Sequence, residues 1–307
     1  MKSEIYHKMR RLIAKLIQGT EWEGHVYLVG GCVRDEIMQR KIHDIDLAVD
    51  LPNGGIRFAM WLYHQRYTAS KRTPLLFIHF GTAKVRLRKF PRNIIDIVQT
   101  RKTRYTYEEN PHPEDNYGNL VEDAGCRDLT INSLFINIST GQLVDPTGRG
   151  MHDIENQIIR TPNLPDISLR DNAMHILRCI RFAVRFGWTL EPKLIEAMKR
   201  NVDIMAEATT RRMTNELESI LSLRHKDKAI ALIRKVGAWP YVEPYIQIAK
   251  DNLKAEKARL QKASTKEPPK EQPKETKKSK AKQRRHRKKV TKGYKRANKG
   301  SRKEIEE

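Results

Sequence analysis

Twenty-five residues, VYLVGGCVRDEIMQRKIHDIDLAVD from Val26 to Asp50, constrain this chain more than any other stretch. The apolar run Val26 to Val29 stops at Gly30-Gly31, where the missing Cβ atoms let the backbone turn sharply and bring its N–H groups close to an anion. Arg34 follows on a short helix, and a second apolar strand carries Asp44 and Asp46. Side chains alternate along a strand, so carboxylates at i and i+2 point to the same side. Two oxygen donors on one face suit the hard cation Mg²⁺. The pattern predicts a phosphate cradle beside a pair of metal-binding carboxylates.

From residue 26 to 100 short strands alternate with helical pieces. Strands are expected at Val26 to Val29, Asp44 to Val49, Leu75 to Phe80, Ala83 to Leu87 and Asn93 to Gln99, with a helix near Ile56 to Gln65. This is a mixed α/β unit with hairpins, not a regular βαβ wind. Asp96 stands inside the apolar strand NIIDIVQ, where a carboxylate is costly unless it meets a cation: a bound metal or a neighbouring arginine. Residues 101 to 126 are polar and turn-rich and are expected to be a long, partly mobile loop. A second small hairpin is expected from Leu134 to Ile138 and Gln142 to Val144.

From about Ser168 the apolar period changes to 3.6. Ala173, Ile176, Leu177, Ile180, Ala183 and Val184 predict one helix face, with Gly187 as its end. Further helices are expected at Lys193 to Asn201, Arg211 to Leu223 and Asp227 to Val236, which makes the second half all-α.

The 307 residues carry a formal charge of +23, unevenly spread. From Lys250 onward there are 23 Lys and Arg against 8 Asp and Glu, a net +15. That balance points to a polyanionic partner, nucleic acid above all. Beyond about Lys257 large apolar residues almost vanish, so a disordered basic tail is expected. Only Tyr294 offers that tail an aromatic ring for stacking, which favours salt-sensitive backbone binding over base recognition. Cys32, Cys126 and Cys179 are odd in number and never spaced as CxxC, which argues against a disulfide framework or zinc site and for a reducing, cytoplasmic setting. The N-terminal stretch reads as an amphipathic helix through Met9, Leu12, Ile13, Leu16 and Ile17, closed by Gly19, and not as a signal peptide or membrane span.

Three carboxylates and two divalent ions suit phosphoryl or nucleotidyl transfer, one ion activating a hydroxyl and the other steadying the triphosphate. At this level the chain resembles the class II tRNA nucleotidyltransferases and bacterial poly(A) polymerases of the polymerase β superfamily, over roughly Val26 to Leu223. GGCVRD at Gly30 to Asp35 is similar to the family's GGxVRD, and DIDLAVD at Asp44 to Asp50 to its metal-binding strand. IIDIVQTR at Ile94 to Arg101 resembles the strand bearing the third carboxylate. CRDLTINSL at Cys126 to Leu134 resembles RRDFTINAL, with Arg127, Asp128 and Asn132 matched. Asp145, Gly148, Asp153 and Arg160 follow the family's order, HILRCIRFAVRFGW resembles RxLRAIRFAxRFGF, and MTNELESIL resembles a later helix.

The resemblance implies an α+β protein: a polymerase β-like nucleotidyltransferase head over residues 1–145, an α-helical neck and body over 146–256, and the disordered tail over 257–307. It implies Mg²⁺ as two ions on Asp44 and Asp46, and Asp96 assisting the 3′-hydroxyl. Gly30, Gly31 and Arg34 would hold triphosphate, while Arg127, Asp128 and Asn132 would lie by the nucleotide sugar. Asp171, Asn172, His175, Arg178 and Arg181 would line the base pocket, with ATP and CTP as substrates and the tRNA 3′ end as partner. Two departures stand out. The family's base-selecting EDxxR reads Asp171, Asn172 and His175 here, which predicts relaxed or altered discrimination between CTP and ATP. Cys126 replaces the first Arg of RRD. The expected function is template-independent nucleotide addition to RNA, tRNA CCA addition or repair first, then poly(A) addition, then RNA binding without catalysis.

Overall fold

The computed structural model describes residues 3–70, 72–103 and 113–265. Residues up to Leu253 form one compact unit, and a second unit from Lys254 is described only to Thr265. Helix α1 (Ser3–Ile17) buries Tyr6, Met9, Ile13 and Ile17 and stops before Gly19, whose φ of 72° ends it. Then come β1 (Val26–Val29), α2 (Gly31–Ile37), β2 (Ile45–Val49), α3 (Gly54–His64), β3 (Leu75–Phe77), β4 (Thr82–Val85) and β5 (Ile95–Gln99). After α4 (Leu120–Gly125), β6 (Phe135–Asn137) and β7 (Leu143–Val144) complete a seven-stranded sheet in the order β3-β4-β5-β2-β1-β6-β7. Only β2 and β5 run parallel; the other neighbours are antiparallel, as a hairpin-rich mixed sheet requires.

Strand alternation decides which face is which. Ile45, Leu47, Val49, Ile95 and Ile97 are buried in one cluster with Phe58 and Leu62 of α3 and with α1. Each such side chain contributes about 1.5–3 kcal/mol. The helix can lie this close because Gly55 has no Cβ; one added there would stand 2.2 Å from the Gly81 carbonyl oxygen. The same alternation turns Asp46 and Asp96 to the opposite face.

The loop expected over 101–126 is shorter than that. Asn119 accepts from the N–H groups of Val121 and Glu122, and Glu122 accepts from Asn119 N at 2.8 Å, a capping box that starts α4. Residues 104–112 of that stretch lie outside the described residues.

The second half is helical: α5 (Gly150–Glu155), α6 (Pro165–Arg170), α7 (His175–Phe186), α8 (Pro192–Arg200), α9 (Thr210–Leu221), α10 (Lys226–Lys235) and α11 (Trp239–Thr265). Between them β8 (Ile158–Ile159) and β9 (Thr189–Leu190) make a two-stranded parallel ladder. Ile176, Leu177 and Ile180 of α7 share a core with Leu194, Leu217 and Ile233. The helix expected from about Ser168 is interrupted. Asn172 Oδ1 accepts from Met174 N at 3.0 Å, a local bond that competes with helix, so α7 starts at His175. It ends at Gly187 as expected, with φ 73°. The tail expected to be disordered from 257 is helical as far as Thr265; its Lys/Arg-rich remainder lies outside the described residues. No described helix is long and apolar enough to cross a membrane.

Candidate active site

Three adjacent strands set a row of charge across the sheet. Lys84 of β4 is the register partner of Asp96 on β5, and Asp96 that of Asp46 on β2. Lys84 Nζ donates to Asp96 Oδ1 at 2.5 Å, so the cation that compensates this carboxylate is a lysine and not the arginine the sequence suggested. Burial and the nearby Asp96 push the Asp46 carboxyl up to about 6, against pulls from Arg127 and Lys84. Asp44 stands at the start of β2, exposed, and contributes its own negative field to Asp46.

Gly30 sits against this row. Its φ is 71°, and a Cβ on it would lie 3.7 Å from Asp46 Oδ2 and 3.8 Å from Arg127 Nη1. The left-handed backbone here and the lack of a side chain keep the space beside Asp46 open. A cavity of about 380 Å³ lies there, walled by Gly31, Arg34, His43, Asp44, Asp46 and Arg185. Arg34 is 3 % exposed and fully engaged: it pairs with Asp35 at 2.8 Å and donates to Asn132 Oδ1 at 2.5 Å, under the rings of Phe182 and Phe186. Arg34 therefore borders the cavity from within the protein, whereas Arg185, less enclosed, faces it.

A second cavity, of about 570 Å³, opens between Arg127 and Asp128, which follow α4, and Asn172, His175, Arg178 and Arg212 of the helical half. Asp128 is buried, which opposes its ionisation, yet the Arg178 guanidinium and the Asn132 amide hold its carboxyl well below the usual carboxylate range. Arg178 Nε donates to Asp128 Oδ2 at 2.8 Å, and Asn132 Nδ2 to Asp128 Oδ1 at 2.9 Å. His175 is buried with Nδ1 2.6 Å from the Ser168 carbonyl, so Nδ1 carries the proton there; burial lowers its pKa despite Asp128. Asn172 accepts from Arg212, Arg181 pairs with Glu216, and Arg127 pairs with Asp123 at 2.6 Å while lying over Phe135. Asp171 lies at the end of α6, next in sequence to Asn172.

Of the residues singled out from the sequence, Gly31, Arg34, Asp44 and Asp46 wall the first cavity and Arg127, Asp128, Asn172, His175, Arg178 and Arg181 the second; Gly30 and Asp96 adjoin Asp46, while Asn132 and Asp171 line neither cavity, Asn132 joining Arg34 to Asp128. Lys84, Arg185 and Arg212 were missed. Arg185 was within reach, since 178, 181 and 185 share one helix face. Lys84 and Arg212 come from register and tertiary packing, which no local pattern reveals. As for metal, Asp44 and Asp46 offer oxygen donors, but no three His, Cys, Asp or Glu side chains among the described residues gather closely enough to enclose an ion.

Residues 26–160 match the poly A polymerase head domain, and residues 187–249 match the probable RNA and SrmB-binding site of polymerase A. The tRNA nucleotidyltransferase cca1 of Schizosaccharomyces pombe is 30 % identical over 257 residues, 79 % of this chain and 50 % of that protein. A CCA-adding enzyme of Oceanobacillus iheyensis is 32 % identical over 233 residues, 76 % of this chain and 54 % of its own. The Thermotoga maritima CCA-adding enzyme complexed with tRNA superposes with a TM-score of 0.65 at 27 % identity, covering 80 % of this chain and 53 % of that one. The chain spans about half the length of the curated relatives it matches. The ordered motifs, the mixed sheet that carries them and these likenesses agree: the chain belongs to the family of class II CCA-adding enzymes and poly(A) polymerases.

Proposed function

We propose that this chain adds nucleotides from NTPs to the 3′ end of RNA without a template, and that tRNA CCA addition or repair is the reaction. The observation that carries the reading is the register pairing of Asp46 with Asp96, with Asp46 beside Gly30 and on the wall of the cavity that Arg34 and Arg185 also line. The relatives are named for the same chemistry, and one matched structure, 27 % identical with a TM-score of 0.59, is a tRNA nucleotidyltransferase with a primer tRNA and an incoming ATP analog.

The donor set fits Mg²⁺. This cation prefers one or two carboxylates completed by water and substrate phosphates, so a protein site with two aspartates and no third ligand is the expected kind. Held by Asp44 and Asp46, two such ions would lower the pKa of the attacking 3′-hydroxyl and steady the leaving pyrophosphate. The protein's own part is positional. Asp96, paired with Lys84, would accept the hydroxyl's proton. Arg185 and the N–H groups at Gly30-Gly31 neutralise the triphosphate on one side, and Arg127 approaches from the other. The buried Arg34 fixes Asn132, which fixes Asp128 and through it Arg178, so the cavity for the sugar and base is prepared before a nucleotide enters.

The head would end near residue 145 and the helical body near 256, with the basic tail gripping RNA phosphates in a cytoplasmic setting. Asn172 and His175, in place of a carboxylate and a guanidinium, favour a second reading in which discrimination between CTP and ATP is relaxed or altered and the added end departs from strict CCA. An Asp44→Ala, Asp46→Ala variant tests the chemistry: extension of an RNA 3′ end that vanishes while the melting curve persists supports it. Extension equal to the parent's would refute it.

A further inference from the structure

The sheet face opposite the catalytic carboxylates carries α1 and α3, and a cavity of a different kind opens at their edge. It measures about 460 Å³ and is walled by Leu12 and Leu16 of α1, Arg66 and Tyr67 after α3, and Arg88 and Lys89 after β4. Backbone bonds tie these walls together. Arg88 N donates to the Tyr67 carbonyl at 2.8 Å and Tyr67 N to that of Leu62 at 2.9 Å, so the hollow exists before anything enters it. Leu12 and Leu16, one helical turn apart, are half-buried against the core, and the Tyr67 ring meets Trp61 edge-on at 5.8 Å. The floor is apolar and the rim is cationic. Arg66, Arg88 and Lys89 are exposed, and among the described residues none of them joins an ion pair or a side-chain hydrogen bond. Exposed cations are common on a basic chain; these three differ in ringing an apolar hollow with no carboxylate on its wall. Arg66 also has a φ of 59°, left-handed backbone that is uncommon outside glycine, and strain of this kind gathers at ligand sites.

We infer that this hollow binds a small amphiphile with an anionic head, an acyl carboxylate whose chain lies along Leu12, Leu16 and Tyr67 while its head meets Arg66, Arg88 and Lys89. Its volume falls in the range of about 300–1,000 Å³ usual for small-molecule sites, and an apolar lining with a few convergent polar groups is their usual composition. A docked protein helix would need a groove for anchors at i, i+3, i+4 and i+7. Here α1 offers Leu12 and Leu16, room for a run of methylenes but not for such a helix. An RNA strand would stack successive bases on aromatic rings, and the wall supplies the single ring of Tyr67. The inference is independent of the nucleotide-transfer reading, because α1 and α3 lie across the sheet from Asp46 and Asp96.

The test titrates dodecanoate, kept below its micelle concentration, into the full chain by calorimetry. Dodecyl maltoside, with the same alkyl chain and no charge, is the control. One dodecanoate per chain is expected, and each methylene removed from it should weaken binding by up to about fourfold. Arg66→Gly suits the left-handed backbone, so it deletes the guanidinium and keeps the turn. It should melt no lower than the parent, and Arg66→Gly and Arg88→Gln should each weaken dodecanoate about tenfold. Affinity unchanged in both variants overturns the inference. So does dodecyl maltoside bound as tightly as dodecanoate, or many dodecanoates per chain, the mark of adsorption to a basic surface. A synthetic peptide of glutamate and leucine that binds in a manner lost in Arg66→Gly, where dodecanoate fails to bind, gives the hollow to a protein partner instead. Bound dodecanoate displaced by ATP or a short RNA would set the hollow in the nucleotide's path and count against it equally.

Discussion

Arg34 Nη1 donates to Asn132 Oδ1 at 2.5 Å, and the same amide donates through Nδ2 to Asp128 Oδ1 at 2.9 Å. One buried side chain thus joins the cavity beside Asp46 to the cavity beside His175. Since Arg34 is 3 % exposed and Asn132 6 %, neither can reach far to a ligand without breaking the link. The two act by holding geometry.

Asn132→Ala leaves one guanidinium N–H and one carboxylate oxygen short of a buried partner. A loss of about 1–3 kcal/mol in urea unfolding is expected, with weaker nucleotide binding. Asn132→Asp should be worse than Ala, because it sets a second carboxylate against Asp128; equal losses would show that the link carries little.

Asp46→Asn separates stability from chemistry. Folding raises the Asp46 pKa from 3.8 to about 6, so its contribution to stability is full below the lower value and is lost as pH rises through the upper one. Above pH 6 the uncharged Asn removes that penalty. The metal-free variant should melt a few degrees higher than the parent at pH 7.5 while RNA extension disappears; a lower melting temperature would contradict the strained carboxylate pair.

Arg178→Met strips the buried Asp128 of its main counter-charge. Because the Arg178 side chain is itself 35 % exposed, the cost belongs at the lower end of the range for broken buried pairs, about 3 kcal/mol. Arg178→Lys restores charge without the fork, and thermal unfolding should place it between the two.

Lys84→Met removes the cation beside Asp96. Both partners are more than a third exposed, so stability should move by less than about 1 kcal/mol. The extension rate should nevertheless fall at unchanged affinity for ATP, because Asp96 loses the group that fixes its orientation. A variant as fast as the parent would remove Lys84 from the account.

Deleting residues after about Lys257 should weaken RNA binding at moderate salt and flatten its salt dependence, leaving the nucleotide chemistry intact. Filter binding over a salt series reads both.

The head was largely legible because its signals are local. Gly30-Gly31 marks the turn after β1, alternation puts Asp44 and Asp46 on one side, and the Asn119 to Glu122 capping box was available although the stretch looked like loop. What escaped depends on partners distant in sequence. β8 and β9 are two residues each and exist only because Ile158 and Thr189 meet. The break before His175 comes from one Asn side chain that outbids helix. Pro244 stands inside α11, a helix that the packing of Val242 and Ala249 sustains. The candidate site followed the same rule: motif residues such as Asp46, Arg127, Asp128 and Arg178 could be singled out from the sequence and line the cavities, whereas Lys84, placed by strand register, could not.

The most direct measurement incubates the purified chain with Mg²⁺, a tRNA transcript lacking its last three nucleotides, and the four NTPs singly and together, then sequences the 3′ ends. Ends that read CCA, formed only when CTP and ATP are both present, are the predicted result. No extension of any RNA under these conditions would contradict the assignment of Asp44, Asp46 and Asp96 to nucleotide transfer.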